Sequence, residues 1–270
     1  MSTAPLYDKT TPDTDRGLTA CLWQKSLEAY TADNSAFGVR IKNDFQVRQA
    51  TTGTTTPAVK DGWSVADAAT AGGTFSFDSV EGVGGVARLA STGTTNHYGV
   101  EAQGAACVTL PTHSTLPQGE VVAEFRFDPG TADTIFLGFS EAGDNFLTSA
   151  SALPTDSSDY IGFYSTDNLA TCTFVTSTDN NGGTAVSDTY TIPASLLNTS
   201  MNKLGFRVNK PGSVELSVNG TYISPSVNGI SRLALPIESL VVRLSATAGN
   251  TTTAPNIDLD SVDVFVAAGA

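Results

Sequence analysis

The stretch EVVAEFRFDPG, residues 120–130, places Glu124, Arg126 and Asp128 at alternate positions, so in an extended strand their side chains share one face. Two carboxylates on one face are the apparatus of glycoside hydrolysis, in which nucleophile and acid flank the sugar bond about 5 Å apart. Arg126 stands between them and is expected to pair with these acids, which makes the stretch a charged, solvated strand face. The histidines are His97 and His113, and neither sits in a Gly-x-Ser-x-Gly or His-Glu-x-x-His setting. Triad-hydrolase and zinc chemistry therefore lack their parts. GVGGVA, residues 82–87, opens no helix after a strand and reads as a turn, not a phosphate cradle.

Oxygen ligands cluster in TDNNGG, which contains Asp179, and in NIDLDSVD, which contains Asp258, Asp260 and Asp263. These are the calcium candidates, although calcium needs six to eight oxygens converging from several segments and neither stretch supplies them alone. Asn/Gly turn chemistry and acids on a wet strand explain the same residues, and no cofactor is expected. The three cysteines, Cys21, Cys107 and Cys172, have no metal-type spacing and read as reduced, small apolar side chains. Tyr98, Tyr160 and Tyr164 could line a glycan groove by ring stacking, against a role in the core or on a sheet face.

All of these residues depend on strands to position them. Val214, Leu216 and Val218 alternate with Glu215, Ser217 and Asn219, and Leu204, Phe206 and Val208 alternate upstream, the period-two pattern of half-buried strands. Lys210-Pro211-Gly212 joins the two runs as a reversing turn, and Asn219-Gly220 predicts a second tight turn. From residue 72 onward strand-like runs recur at roughly ten-residue intervals, the spacing of an all-β sandwich. They are expected at 85–90, 98–103, 106–110, 120–128, 134–140, 160–165, 172–177, 189–192, 240–246 and 257–267. In the last run Ile257 and Leu259 share one parity and Val262, Val264 and Val266 the other. One apolar face then requires an extra residue near Asp260 or Ser261, which a β-bulge supplies.

The first 60 residues differ from the rest. They carry a net charge of +1, against −14 for the remaining 210 residues. So acidic a body repels phosphate backbones, which argues against nucleic acid as a partner. The start shows no secretory pattern and no apolar run approaches a membrane span, so the sequons at Asn198, Asn219 and Asn250 carry little weight. Leu18 with Leu22, and Trp23 with Leu27 and Tyr30, recur at near-helical spacing after Asp15. They predict a short amphipathic helix that must dock on something. Residues 36–50 predict one or two strands and 51–62 a linker or loop. The expected organisation is thus an N-terminal anchoring arm, 1–60, and a sandwich, 61–270.

SDYIGFYSTDN, TCTFVTSTDNNGGT, NKLGFRVNKPGSVELSVNGTYI and IDLDSVDVFV, in this order, resemble the strands of the concanavalin-A-like (laminin-G-like) jelly roll over residues 72–267. The resemblance implies an all-β, two-sheet antiparallel sandwich behind an arm with a short helix. Laminin-G-like modules often hold calcium at a sandwich rim. Glycanases of this fold carry a Glu-x-Asp-x-x-Glu-type strand, and here the second glutamate is missing. In style the chain is similar to structural proteins of tailed bacteriophages, notably capsid decoration proteins and head or tail fibres. That likeness implies a non-enzymatic virion protein made in the host cytoplasm and displayed on the capsid surface. Leu18, Leu22, Trp23, Leu27 and Tyr30 would then contact the major capsid protein and sister subunits, in a homo-oligomer expected to be a trimer. A carbohydrate-binding adhesin or tail-fibre module that meets surface glycans is the alternative, and a glycanase the third reading.

Overall fold

A computed structural model describes residues 38–43, 50–53, 58–60, 63–69, 75–79, 85–95, 97–110, 120–143, 146–148, 151–154, 158–179, 186–209, 213–223, 230, 234–249 and 253–267. The segment holding Leu18, Leu22, Trp23, Leu27 and Tyr30 lies outside them, as do Cys21 and His113.

Among the described residues the chain is two antiparallel sheets packed face to face. The strands are β1 Gly38–Asn43, β2 Ala50–Gly53, β3 Ala58–Lys60, β4 Trp63–Ala69, β5 Phe75–Ser79, β6 Ala87–Ser91, β7 Tyr98–Thr109, β8 Glu120–Asp128 and β9 Thr134–Ser140. They continue as β10 Tyr160–Thr166, β11 Thr171–Thr178, β12 Val186–Thr191, β13 Asn202–Asn209, β14 Ser213–Val218, β15 Thr221–Ile223, β16 Ser239–Thr247 and β17 Asn256–Ala267. One sheet runs β15-β14-β13-β8-β17-β6-β5-β2, with β1 also on β17, and the other runs β12-β11-β10-β9-β16-β7-β4-β3. Each sheet mixes strands distant in sequence, the crossed connectivity of a jelly roll.

The inward set of each strand fills one core. Val214, Leu216 and Val218 of β14 are fully buried beside Leu204, Phe206 and Val208 of β13. Phe206 sits among Phe139, Phe163 and Phe174, with ring centroids 5.4, 6.2 and 5.4 Å away, separations typical of favourable tilted and edge-on ring pairs. The two-residue turn between β14 and β15 holds Asn219 at φ 48° and Gly220 at φ 86°, the left-handed pair of a type I′ hairpin. The bulge in β17 is present. Its register against β8 shifts between Leu259 and Ser261, which lets Ile257, Leu259, Val262 and Val264 all reach the core.

Several sequence expectations change. The runs at 98–103 and 106–110 are one strand, β7, whose pairing with β16 is irregular between Val241 and Arg243. Within 51–62, read as a loop, β2 ends and β3 forms, pairing β5 and β4 respectively. Strands β1, β2 and β3 all lie inside the segment 1–60 assigned to the arm, yet β1 pairs along β17 from Gly38↔Ala267 to Asn43↔Val262. Backbone pairing thus carries the sandwich back to Gly38. Trp63, which precedes the jelly-roll resemblance over 72–267, is 6% exposed and belongs to the main core.

Candidate functional site

The outer face of the eight-stranded sheet is the feature that sets this sandwich apart. Outward residues of a two-sheet sandwich are ordinarily wet, yet here Phe136, Ser140, Tyr160, Val175, Glu101, Arg243, Ser245 and Thr247 are all buried. Their cover comes from the connection between β9 and β10, whose described residues 141–143, 146–148 and 151–154 lie on the face as a strap. Phe146, Leu147 and Leu153 of the strap pack with Phe136, Tyr160, Val175 and Tyr164 into a second apolar cluster.

Polar anchors hold the strap down. Arg243, on β16, donates from Nε to Ser140 Oγ at 2.9 Å, from Nη1 to Glu101 Oε1 at 2.8 Å, and from Nη2 to the carbonyls of Glu141 and Gly143 at 3.0 and 2.6 Å. The Phe146 ring lies 5.5 Å from the guanidinium carbon, within cation–π range. Glu101 accepts the Phe146 N–H at 3.1 Å and Gln103 accepts the Gly143 N–H at 3.1 Å. Arg243 lies beside Gly138, itself opposite Gly162; a side chain at either glycine would collide with the facing backbone.

At the lower end of this sheet Asp159, fully buried, accepts the Asp179 N–H at 2.8 Å on Oδ1 and the N–H groups of Ile237 and Glu238 at 3.0 and 3.1 Å on Oδ2. Burial, reinforced by the charges of Asp159, Asp179 and Glu238, pushes the Glu141 carboxyl above its ordinary value, although a backbone bond at Asp159 opposes the shift. Asp179 therefore keeps company with Glu141, Asp159 and Glu238 and not with the acids of β17, which lie in the other sheet. Among the described residues no three His, Cys, Asp or Glu side chains gather as a metal ion would require. Asp258 is engaged by Arg88 through two bonds of 2.6 and 2.7 Å, and Asp260 by Arg126 at 3.2 Å.

The upper end gathers chemically varied side chains. Asp133 and Thr134 open β9, Asp167 and Asn168 turn from β10 to β11, Ala248 and Gly249 leave β16, and His97 and Tyr98 enter β7. Backbone bonds knit them together: Asn168 N–H to Asp133 O at 3.0 Å, Asp133 N–H to Thr247 O at 2.9 Å, and His97 N–H to Ala248 O at 2.9 Å. Burial and the nearby charge of Asp167 raise the Asp133 carboxyl above its usual range. The carboxylate lies over Gly249, where any Cβ would overlap it. Tyr164 donates to the Ser151 carbonyl at 3.1 Å, and His97 Nδ1 lies 3.0 Å from Ser151 Oγ.

Of the tyrosines proposed for glycans, Tyr98 and Tyr164 are half-buried at this rim. Tyr160 is not available: it is 5% exposed, its ring stacks edge-on with Phe136 and Phe146, and its hydroxyl donates to the Pro154 carbonyl at 3.3 Å. Two of the outward trio on β8 are tied up in ion pairs, though not with one another as expected, and the third in a backbone hydrogen bond. Lys203 holds Glu124 at 3.0 Å, Arg126 reaches Asp260, and Asp128 accepts the Gly130 N–H at 2.9 Å. Cys172 is buried and reduced, and burial pushes its thiol up to about 12. Sequence reasoning missed Arg243, Glu101, Asp133 and Asp159; the apolar trio Phe146, Leu147 and Leu153 inside an otherwise polar loop was the available signal for the strap.

No protein-family profile matches the sequence, and no curated protein is similar to it. Solved structures are. Arcelin-5, a lectin-like defense protein from Phaseolus vulgaris, superposes with a TM-score of 0.51 at 11% identity, over 86% of this chain and 99% of that chain. A basic winged bean lectin solved with Tn-antigen gives a TM-score of 0.49 at 13% identity, over 85% and 98%. The CBM2 module of the evolved Dit of Lactobacillus casei BL23 phage J-1 gives 0.48 at 11%, over 85% and 96%. At such identity the arcelin-5 likeness speaks for fold alone, a two-sheet concanavalin-A-like jelly-roll sandwich.

Proposed function

We propose that this is a non-enzymatic structural protein of a bacteriophage particle, a capsid decoration protein. Its sandwich stands on the head surface, and the residues before β1 attach it to the major capsid protein and to sister subunits, in groups of three. The observation that supports this reading is that, among the described residues, the charged side chains of both broad outer faces are engaged within the chain. One is roofed by the strap. The other is laced by Arg88–Asp258, Arg126–Asp260, Lys203–Glu124 and Arg207 with Glu120 and Glu215. The buried charges, Arg243, Glu101 and Asp159, are consumed in structural bonds. A self-contained acidic body suits display, and it leaves attachment to the less acidic, apolar-bearing segment that precedes it. Labelling of purified particles tests the reading: signal over the head supports it, and signal confined to the tail contradicts it.

A second reading has its own observation, the rim that brings Asp133, Asn168, His97, Tyr98 and Tyr164 together. A carboxylate, an amide and aromatic edges are the groups that fix sugar hydroxyls and ring faces, so a surface glycan would be held there without cleavage. Glycan-array binding that is lost in Asp133→Asn would favour this adhesin role.

A further inference from the structure

Ser245 and Thr247 stand two residues apart on β16, so both project onto the strap-covered face. Both are 0% exposed, and neither Ser245 Oγ nor Thr247 Oγ1 has a hydrogen-bond partner among the described residues. Buried hydroxyls are rarely left unmade, and two on one face of one strand point to a shared cause. In register Ser245 lies between Phe136 and Glu101, and Thr247 between Thr134 and Gly99. The Thr247 methyl occupies the space above Gly99, so its hydroxyl is turned to another side. Above, the strap makes a local turn in which Thr148 and Ala152 exchange bonds and Ser151 reaches His97.

We infer that Ser245 and Thr247 hold at least one internal water molecule, enclosed between β16 and the strap. The occupant is neutral and small. Glu101, the charged neighbour, is already compensated by Arg243 at 2.8 Å, so no spare charge remains to retain an ion. The occupant has to partner both hydroxyls, each of which can donate or accept, at a place with no solvent exposure. Water meets both requirements, and an enclosed polar site with several partners is where it is retained. Such a water stitches the strap to the sheet beyond the reach of Arg243.

The test uses the full chain and the variants Ser245→Ala and Thr247→Val, which remove the hydroxyls while conserving shape. Oxygen-17 relaxation dispersion counts long-lived internal waters, and thermal melting reads the consequence. The wild type is expected to show a long-lived water that the double variant loses, with a lower Tm in the variant. The two effects of removing an orphan hydroxyl have opposite signs: a dry site gains stability when the unmade group is deleted. A variant with unchanged or higher Tm, or a variant that keeps every long-lived water of the wild type, overturns the inference.

Discussion

Arg243 and Glu101 meet at 2.8 Å with their side chains 1% and 2% exposed, a buried ion pair that also bonds the strap backbone and Ser140 Oγ. Breaking such a pair from one side strands a charge in a low-dielectric interior. Arg243→Met is expected to cost about 3–5 kcal/mol and to raise hydrogen exchange at Gly143, Phe146 and Leu147 above that of the main core. Pairing it with Glu101→Gln should recover part of the loss. Urea denaturation of the two single variants and the double gives the coupling, and strictly additive losses would show that the pair does not act as a unit.

Leu216 faces the core with no exposed surface, between β13 and β15. Leu216→Asp would bury an unpaired carboxylate, which costs several kcal/mol or forces the strand to unpack. Circular dichroism melting should show a large drop in Tm; a variant that melts like the wild type would mean that β14 does not present Leu216 inward.

Burial holds the carboxyls of Glu120, Asp133 and Glu141 above their ordinary values. Glu120 is raised even with Arg207 at 2.6 Å, because its second oxygen is buried without a partner. Between the ordinary glutamate value near 4.5 and the raised one, the folded chain binds more protons than the unfolded chain. Stability therefore falls as pH rises through that interval and returns on acidification. Glu141→Gln removes one such group, so its Tm should depend less steeply on pH there. Parallel profiles for variant and wild type would contradict the assignment.

β12 is a terminal strand of its sheet, and Asp188 stands on its inward parity, in register with fully buried Thr176. An inward charge on an edge strand discourages another strand from pairing alongside. Asp188→Val is expected to make the purified protein self-associate, read by light scattering after size exclusion. An unchanged elution mass would show that the edge is guarded otherwise.

How far the sequence revealed this molecule depends on which face a residue serves. The bulge at Asp260 was legible because a parity break within one apolar face has one local remedy, and Asn219-Gly220 because few pairs tolerate two positive φ angles. Trp63 was missed because WSVADAA mixes small residues with an aspartate and sits next to Thr-rich connections. Arg243 and Glu101 occupy outward positions, where period-two patterning assigns them to solvent. Only the strap, folded back from a loop of Ser, Asp, Ala and Pro, makes that face an interior, and such a long-range cover leaves no periodic trace.

The measurement that bears most directly on the decoration proposal is occupancy of purified particles by a chain that starts at Gly38. Among the described residues strand pairing runs from there, so the truncated protein should stay soluble and β-rich by circular dichroism. It should fail to bind expanded heads lacking the protein, and full-length Trp23→Ala should bind them weakly with an unchanged melting temperature, since buried aromatics tend to carry interface energy. Heads decorated by the truncated chain at full occupancy would contradict the account and move the attachment surface onto the acidic sandwich.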